Sequence, residues 1–585
     1  MSHFPLDQNP DLDRYFDELG YWLELEGEAE RERMARRRKI RSQTHVEKTG
    51  ETVIGLQMQD HQTGLAGRLL LDFSKPGNQS LPMNRLKVGS PVVVSDNDNP
   101  ADKGVTGVVS RRKHHTIQVA TDAWPEGKRY RIDLSPDETT RRRQSAAMAK
   151  ARLATGRPAK LRDVLLGKRE TRFAEINSVP NCLTTLNPPQ LDAVAFGLTA
   201  KDVAIIHGPP GTGKTTTLAE LIYQAVQNGS SVLACAPSNT AVDNLLEKLV
   251  ALMPAVVRVG HPARVFESLR GHTLDELVDN DPSTDVIRDM RREVKELIRI
   301  AEKGFRSRDG HRRRRELFAE AGKLRGQIRA MERSVIQNVI DSADVVCTTT
   351  TIDDDLLNDR SFDLVVIDEA CQCTVPSVWQ AVLRAEKLIL AGDHCQLPPT
   401  VLSDQAAARG MKDSLMQRLI ERDGESIYRQ LTVQYRMHES IMQFSSDTFY
   451  DGKLIADASI RQHRLCDLPD VIEMPLTDSP LVFIDTAGAE FEEQIEPDGE
   501  SKLNPKEANL VIQLIGDLIE AGVSPAEMGI IAPYAAQVRL LRGKLNVIGL
   551  EIDTVDGFQG REKEVIIVTM VRSNDNREIG FLADT

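Results

Sequence analysis

A glycine-rich run carries the strongest chemical signal in the sequence. Residues 208–215, GPPGTGKT, fit the pattern G-x-x-x-x-G-K-[S/T] between an apolar run and an amphipathic segment. Such glycines let backbone N–H groups wrap a phosphate, and a helix N-terminus adds a favourable dipole. We predict that Lys214 reaches the β- and γ-phosphates and that the Thr215 hydroxyl binds Mg²⁺. The predicted nucleotide contacts of the loop are Gly208, Pro209, Pro210, Gly211, Thr212, Gly213, Lys214, Thr215 and Thr216.

Two adjacent carboxylates follow a second apolar run. Asp368 and Glu369 come directly after Leu364–Ile367 in the sequence VVIDEACQC. A parallel strand would deliver both groups to the carboxyl edge of a sheet, where ligands bind. We predict that Asp368 binds Mg²⁺, directly or through water, and that Glu369 orients or deprotonates the attacking water. A surface carboxylate pair is the alternative, against which the apolar run argues.

Two glutamines each follow a carboxylate by three residues. Gln372 follows Glu369 in this way, and Gln396 follows Asp393 in LAGDHCQLPP. A side-chain amide can donate to a phosphate oxygen and accept from water at the same time. Either glutamine alone would be an ordinary polar residue. Together they predict a site that senses phosphate and reports its hydrolysis.

Alternating strand and helix patterns position these groups. From about residue 180, strand-length apolar runs alternate with helices such as 215–227, which predicts a parallel sheet covered on both faces. A second α/β pattern begins near 400, with helices near 505–521 and 535–545. The predicted strands are 203–206, 232–236, 344–347, 364–367 and 388–391, followed by 481–484, 529–532, 551–555 and 564–571.

Different patterns occupy the N-terminal region and one insertion. Residues 11–41 alternate acidic and basic side chains, which predicts a charged helix. Short β-rich runs between 44 and 135, separated by Gly, Pro, Asn and Asp, predict a small antiparallel barrel. Residues 283–340 are charged and helix-rich, with one break at 307–310.

Length, charge and cysteine spacing exclude several classes of protein. A chain of 585 residues is expected to form three or four domains. The net charge of −13 argues against binding nucleic acid by bulk charge alone. No apolar run approaches the ~18 residues of a membrane span, and the N-terminus does not fit a secretory signal. The seven cysteines form no C-x-x-C pair and the histidines no cluster at zinc spacing, so we expect reduced thiols in a cytoplasmic protein.

Six motifs follow one another in a fixed order. They are GPPGTGKT, DEACQ, GDHCQLPP, VQYRMH (433–438), IAPYAAQV (531–538) and TVDGFQGREKEVIIV (554–568). In order and spacing this set resembles the superfamily 1B helicases of the Upf1-like group across residues 183–585. The resemblance implies an α/β fold with two RecA-like P-loop NTPase domains on parallel sheets. It also covers, less specifically, an N-terminal β-barrel accessory domain and a helical insertion.

The patterns and the resemblance together divide the chain into five parts. We expect the last part to be incomplete at its C-terminus, because the family's final arginine-rich motif would follow Thr585. The parts are an N-terminal helix (1–43), the β-barrel (44–140), a helical linker or stalk (141–180), RecA-like domain 1 with the insertion 283–340 (181–400) and RecA-like domain 2 (401–585).

The resemblance also implies roles for single residues. Gln190 would read the adenine edge, and Tyr435 would stack on the base. Arg436 would reach the γ-phosphate from the second domain, a role suited to a movable cation. Gln396 would couple phosphate state to nucleic acid, and Glu562 would contact the ribose or phosphate region.

A further set of residues is predicted to contact nucleic acid. In APSNTAVDNL, hydroxyls, an amide and free N–H groups lie between a strand and a helix, which suits strand phosphates without reading sequence. Helix capping is the alternative, and it is compatible with this role. We expect a monomer that binds single-stranded nucleic acid and no membrane. The predicted contacts from this stretch are Pro237, Ser238, Asn239 and Thr240, and the family resemblance implies the further contacts Thr349, Pro533, Tyr534 and Thr554.

The function expected from the resemblance is an ATP-dependent helicase or translocase that uses ATP and Mg²⁺ and moves 5′-to-3′ on single-stranded DNA or RNA. One alternative is an ATPase that translocates or strips proteins without unwinding. Another is a nucleotide-gated binding module with little turnover, expected if the missing arginine motif is essential. A nuclease is disfavoured because the sequence offers no convincing additional carboxylate–lysine cluster.

Overall fold

The computed structural model of the chain separates into two compact units. The first comprises residues 1–208 and 214–431, and the second comprises 209–213 and 432–585. No described helix has the length and apolar character needed to cross a membrane. The structure describes residues 11–38, 47, 52–63, 69–82, 86, 88–99, 102, 104–121, 123–135, 138–175, 182–260, 265–302, 308–496, 501–576 and 578–583.

Six antiparallel strands close into a barrel within the first unit. The strands are β1 (Thr52–Thr63), β2 (Leu69–Ser74), β3 (Pro91–Asp96), β4 (Val105–Arg112), β5 (Thr116–Thr121) and β6 (Tyr130–Leu134). Their order is β1-β2-β5-β4-β3-β6. Inward-facing side chains, among them Leu71, Phe73 and Ile132, form an apolar core of their own. The barrel predicted from the short β-rich runs is therefore confirmed.

A seven-stranded parallel sheet forms the centre of the first unit. Its strands are β7 (Val203–His207), β8 (Val232–Ala236), β9 (Val256–Arg258), β10 (Val345–Thr349), β11 (Leu364–Ile367), β12 (Leu388–Gly392) and β13 (Tyr428–Gln430). Their order is β13-β7-β12-β11-β8-β10-β9. Val203 and Ile205 belong to one apolar core, and Ala204 and Ile206 belong to another. Because both faces are covered, the central strands are apolar almost throughout, whereas β9 ends in Arg258 and the edge strand β13 is polar.

Helices supply the two layers that cover this sheet. The N-terminal helix contributes Phe16 and Trp22 to one core, where Trp379 also lies. The second core includes Leu218 and Leu221 of the helix that follows the glycine-rich loop. The helices of the first unit are α1 (Leu12–Arg38), α2 (Glu138–Arg152), α3 (Gly156–Leu165), α4 (Pro188–Thr199), α5 (Lys214–Gln227), α6 (Asn239–Leu252), α7 (Leu274–Asp279), α8 (Ser283–Glu302), α9 (Arg308–Asp341), α10 (Asp354–Leu357), α11 (Val375–Val382), α12 (Asp404–Ala406) and α13 (Leu415–Asp423).

Two long helices occupy the region of the predicted insertion. Helices α8 and α9 pack against each other, and Arg291 Nη2 lies 2.5 Å from Glu332 Oε1 across the pair. Apolar side chains such as Ile287 and Ile328 are buried there. Part of the predicted break at 307–310 lies outside the described residues, and α9 begins at Arg308.

The second unit contains a smaller parallel sheet in the order β19-β18-β20, formed by strands at 551–554, 528–532 and 565–568. Its apolar core includes Ile515, Ile530 and Leu541. The strands of the unit are β14 (Val433–Gln434), β15 (Ile455–Ala456), β16 (Gln494–Ile495), β17 (Lys502–Leu503), β18 (Met528–Ala532), β19 (Glu551–Thr554) and β20 (Val565–Val568). Its helices are α14 (Glu439–Phe449), α15 (Pro475–Asp478), α16 (Pro505–Glu520), α17 (Ala535–Lys544) and α18 (Val555–Phe558). The predicted fold class, with two α/β units and a barrel, is confirmed.

One strand prediction in the second unit was wrong, and another was wrong at its end. Residues 481–484 form no strand, and all four side chains are exposed. An apolar run becomes a strand only where a neighbour accepts its backbone hydrogen bonds, and no described strand pairs with this one. Strand β20 ends at Val568, short of the predicted 571, where Val571 has a φ of +69° that a strand residue does not adopt.

The sheet of the first unit extends past residue 400. Strand β13 pairs in parallel with β7, with Tyr428 opposite Ile205 and Gln430 opposite His207. The domain boundary at 400/401 stays a prediction. The pairing shows that residues 428–430 contribute to the sheet that carries the glycine-rich loop.

Replacing Phe16 by Ala tests how α1 is held on the first unit. Phe16 is 3% exposed, and its ring centroid lies 5.2 Å from that of Trp379. We expect the loss of about 3–5 kcal/mol of packing energy, so α1 should lose protection in hydrogen–deuterium exchange. Tyr21→Ala is the control, because Tyr21 is 43% exposed on the same helix. Unchanged protection of α1 in Phe16→Ala would show that this packing does not hold the helix.

Candidate nucleotide and nucleic-acid sites

The glycine-rich loop joins β7 to α5 through a backbone that needs glycine. Gly211 and Gly213 have φ values of +73° and +74°, in the left-handed region that other residues rarely adopt. A Cβ added to Gly208 would lie 2.7 Å from Lys214 Cβ. The loop therefore has the tight conformation in which backbone N–H groups can surround an anion.

Lys214 meets both predicted catalytic carboxylates. Its Nζ lies 3.3 Å from Asp368 Oδ1 and forms an ion pair with Glu369. Burial by itself would lower the pKa of Lys214, but the charges of Asp368 and Glu369 outweigh burial and raise that pKa above its usual value. Lys214 is therefore a cation at neutral pH, and three residues predicted to act together do lie together.

Thr215 and Asp368 fit the oxygen ligands that Mg²⁺ requires. Thr215 Oγ1 lies 3.4 Å from Asp368 Oδ2, so two hard oxygens converge where α5 begins beside the end of β11. Asp368 is 2% exposed. Its other oxygen, Oδ1, accepts the Glu369 N–H at 2.8 Å, which fixes the orientation of the carboxylate.

Gln372 holds the carboxylate of Glu369. Gln372 Nε2 donates to Glu369 Oε2 at 2.9 Å. Glu369 itself has a φ of +53°, a strained conformation for a residue with a side chain, and it begins a short 3₁₀ turn over Ala370–Gln372. The sequence suggests that Gln372 senses phosphate, and the structure gives its amide a partner that orients the predicted base.

The second sensor glutamine has a corresponding partner. Gln396 Nε2 donates to Asp393 Oδ2 at 2.7 Å in the loop after β12. Gln190, predicted to read adenine, is 5% exposed and caps α4. Its Oε1 accepts the Asn187 N–H at 2.9 Å, and its own N–H donates to Asn187 Oδ1. The adenine contact of Gln190 stays a prediction. In the structure, the side-chain oxygen of Gln190 accepts a hydrogen bond within the helix cap.

The predicted nucleic-acid contacts of the first unit lie at two adjacent strand ends. Ala236, at the end of β8, pairs with Thr349, at the end of β10. Ser238 precedes α6 as its N-cap, and its Oγ accepts the Ala241 N–H at 3.2 Å, so the helix-capping alternative is confirmed. Thr240 is exposed, and Pro237 is half-buried.

A buried ion pair behind this loop was missed by the sequence analysis. Arg258 is 1% exposed, and its Nε lies 3.0 Å from Asp243 Oδ1. The same guanidinium donates through Nη2 to Asn239 Oδ1 at 2.8 Å. Arg258 therefore positions Asn239. The only sequence signal was an Asp inside the quoted motif APSNTAVDNL, with no indication of its partner.

In the second unit, two predicted nucleotide residues pair with each other. Arg436 Nε lies 2.8 Å from Glu562 Oε1, with both side chains partly exposed. Tyr435 is 43% exposed. The turn is fixed by Gln434, whose fully buried Oε1 accepts the N–H groups of Arg436 and Met437, both at 2.8 Å. Gln434 was not among the predicted residues, although it lies inside the motif VQYRMH.

The second unit repeats the arrangement of adjacent strand ends. Ala532, at the end of β18, pairs with Thr554, at the end of β19, so Pro533 and Tyr534 lie beside Thr554. Thr554 Oγ1 accepts the Gly557 N–H at 3.3 Å and caps α18. The hydroxyl of Tyr534 accepts from Arg572 Nη1 at 3.3 Å, a second positioning arginine absent from the sequence predictions.

Replacing Gln434 by Ala tests its role as a positioning residue. The change removes the acceptor of two partly buried backbone N–H groups, each hydrogen bond being worth about 1 kcal/mol. We expect the amides of 435–438 to exchange at least about tenfold faster in hydrogen–deuterium exchange. Gln443→Ala is the matched control, because Gln443 is exposed on α14. Equal exchange in the two variants would remove Gln434 from this role.

Comparison with protein families covers most of the chain. Residues 185–404 and 411–585 each match a family model described as AAA domain. Residues 21–138 match the model described as Helicase SMUBP-2/HCS1, 1B domain.

Several named proteins are similar over long stretches. DNA-binding protein SMUBP-2 of Rattus norvegicus is 41% identical over 96% of this chain and 58% of that protein. DNA polymerase alpha-associated DNA helicase A of Schizosaccharomyces pombe is 35% identical over 92% of this chain and 85% of that protein. Regulator of nonsense transcripts 1 homolog of Drosophila melanogaster is 36% identical over 69% of this chain and 33% of that protein. The chain thus spans just over half the length of the SMUBP-2 proteins.

The motif order, the two α/β units and the barrel agree with these similarities. The similarity to the Schizosaccharomyces pombe helicase, over 92% of this chain, and the three matching domain families point to the same family. The chain belongs to the Upf1-like superfamily 1 helicases.

Proposed function

We propose that this chain hydrolyses ATP and uses the energy to move 5′-to-3′ along single-stranded DNA or RNA and separate strands. The observation that supports the proposal most directly is the cluster of Lys214, Asp368 and Glu369 at the carboxyl edge of the first sheet. The predicted strand-binding residues follow other strands of that sheet at the same edge. The alternative of a binding module with little turnover is not favoured, since similar proteins are named helicases.

The residues around the glycine-rich loop would carry the hydrolysis step. Lys214 is held by two carboxylates, and the phosphates of ATP compete for the same ammonium group. Transfer of Lys214 to the phosphates frees the Glu369 carboxylate to accept a proton from the attacking water. Gln372 keeps that carboxylate oriented through its 2.9 Å hydrogen bond. When bound, Mg²⁺ neutralises phosphate charge, and Thr215 and Asp368 would hold it.

Other residues would bind the rest of the nucleotide and report its state. We assign Gln190 and Tyr435 to the adenine base and Arg436 to the γ-phosphate. Glu562 keeps the Arg436 guanidinium oriented through their ion pair. Gln396 would sense the phosphate through a change in its hydrogen bond to Asp393.

Single-stranded nucleic acid would contact residues at the strand ends of each sheet. The hydroxyls and N–H groups of Ser238, Thr240 and Thr349 suit phosphates and sugars, which are the same for every base. Tyr534 and Pro533 offer flat surfaces for bases, a contact that tolerates any sequence. The proposal therefore predicts binding without sequence preference.

ATP turnover with and without single-stranded nucleic acid tests the enzyme proposal. We expect stimulation by single strands and no turnover in Lys214→Ala. Glu369→Gln should retain ATP binding, because only the base is lost, while hydrolysis falls about 100-fold or more. Turnover that survives Lys214→Ala would place the activity elsewhere.

Duplexes with a 5′ or a 3′ single-stranded tail give the direction of movement, and only the 5′-tailed duplex should be unwound.

Replacing Thr240 by Ala tests the nucleic-acid edge. Thr240 is exposed at the second residue of α6. Loss of one hydroxyl contact should weaken binding of single-stranded DNA and RNA about 2- to 10-fold, equally for different sequences. Thr139→Ala is the matched control, because Thr139 is exposed at the second residue of α2. Unchanged affinity in Thr240→Ala, measured by fluorescence anisotropy, would exclude this loop from the interface.

A further inference from the structure

Four side chains with metal-ligating atoms meet in the first unit, beside the nucleotide site. His207 is the last residue of β7, and Asp393, His394 and Cys395 directly follow β12. Strands β7 and β12 are neighbours in register, with His207 opposite Gly392. One ligand atom from each of the four lies within 4.8 Å of all the others.

The geometry inside this group approaches that of a metal site. His207 Nε2 lies 2.9 Å from Asp393 Oδ1, and Cys395 Sγ lies 3.8 Å from His394 Nε2. Around zinc, with bonds of about 2.0–2.3 Å, tetrahedral ligand atoms lie about 3.3–3.8 Å apart. Side-chain movements of about 1 Å would therefore bring all four atoms to bonding distance.

The surroundings of the group favour a bound cation. His207 and Asp393 are buried, so their ligand atoms are shielded from competing water. Because Nε2 is the ring nitrogen that faces Cys395 Sγ, His394 would bind the cation through Nε2.

We propose that His207, Asp393, His394 and Cys395 bind one Zn²⁺ ion. Two imidazoles, one carboxylate and one thiolate are ligands that zinc accepts in tetrahedral geometry. The set is unsuited to Mg²⁺, which takes oxygen ligands, so this site is chemically distinct from Thr215 and Asp368. Cys395 binds as the thiolate and gives its proton to the buffer.

Zinc at this position would restrain the proposed phosphate sensor. Asp393 accepts from Gln396 Nε2 at 2.7 Å and from the Cys395 N–H at 3.1 Å. His207 directly precedes the glycine-rich loop at Gly208. A cation shared by His207 and Asp393 would tie the start of that loop to the loop of Gln396, so neither moves freely. This part of the inference rests on the proposed function. It predicts that bound zinc inhibits ATP turnover.

Cobalt binding to the full chain tests the site without nucleotide. Protein without a histidine tag, reduced with a phosphine, is titrated with Co²⁺, which replaces Zn²⁺ and absorbs visibly. We expect one equivalent, with tetrahedral d–d bands and a thiolate-to-cobalt charge-transfer band that excess Zn²⁺ removes. Cys395→Ser should lose the charge-transfer band, whereas Cys466→Ser, the control at another half-buried cysteine, should keep it. No stoichiometric binding, or the same band in Cys395→Ser, would overturn the proposal.

A second measurement on the unmodified protein does not depend on a variant that folds. Iodoacetamide alkylation is mapped by peptide mass spectrometry with and without Zn²⁺. Zinc should slow alkylation of Cys395 at least about tenfold and leave Cys466 unchanged. Equal protection of both cysteines, or of neither, would exclude Cys395 as a ligand.

ATP turnover then tests the coupling apart from binding. Zinc at the concentration that saturates the cobalt site should slow turnover in the unmodified protein and in Cys466→Ser, and should not slow Cys395→Ser relative to its own zinc-free rate. Stoichiometric cobalt without any turnover leaves the zinc site standing and counts against the proposed function. Turnover without cobalt binding supports the proposed function and overturns the zinc site. Binding that leaves turnover unchanged refutes the coupling.

Discussion

The structure of the first unit depends on the burial of its parallel strands on both faces. A strand with helices above and below buries side chains on both faces, so the central strands are almost entirely apolar. Their polar groups therefore gather at or just beyond the strand ends, and in a parallel sheet the carboxyl ends meet at one edge. The glycine-rich loop after β7 and the carboxylates after β11 therefore share an edge, as do Ser238 after β8 and Asp393 after β12.

Charge gathered at that edge must be balanced within it. Lys214 is neutralised by Asp368 and Glu369, and the buried Arg258 is neutralised by Asp243. An unpaired charge in such positions would be strongly destabilising, whereas a pair with further hydrogen bonds is tolerated. These pairs can exchange partners when phosphates arrive. The same balance that stabilises the folded edge thus makes it responsive to an anion.

The placement of polar residues at strand ends recurs in the smaller sheet of the second unit. Strands β18 and β19 place Pro533, Tyr534 and Thr554 side by side, as β8 and β10 do in the first unit. Its sheet has three strands, and the side chains of Val568 and Met570 are exposed. The apolar run 481–484 is exposed as well, which is why a pattern typical of a buried strand gave a wrong prediction there.

The amino-acid sequence by itself determined the parts whose causes are local. Glycines at 211 and 213 permit the positive φ values of the loop, apolar runs specify buried strands, and motif order identifies the family. Only the tertiary structure decided which distant groups meet. Strand order brings His207 against Asp393 across 186 residues, places Glu369 on Lys214 across 155, and lets Arg258 hold Asn239. Such contacts depend on the crossover connections between strands, and no local propensity encodes them.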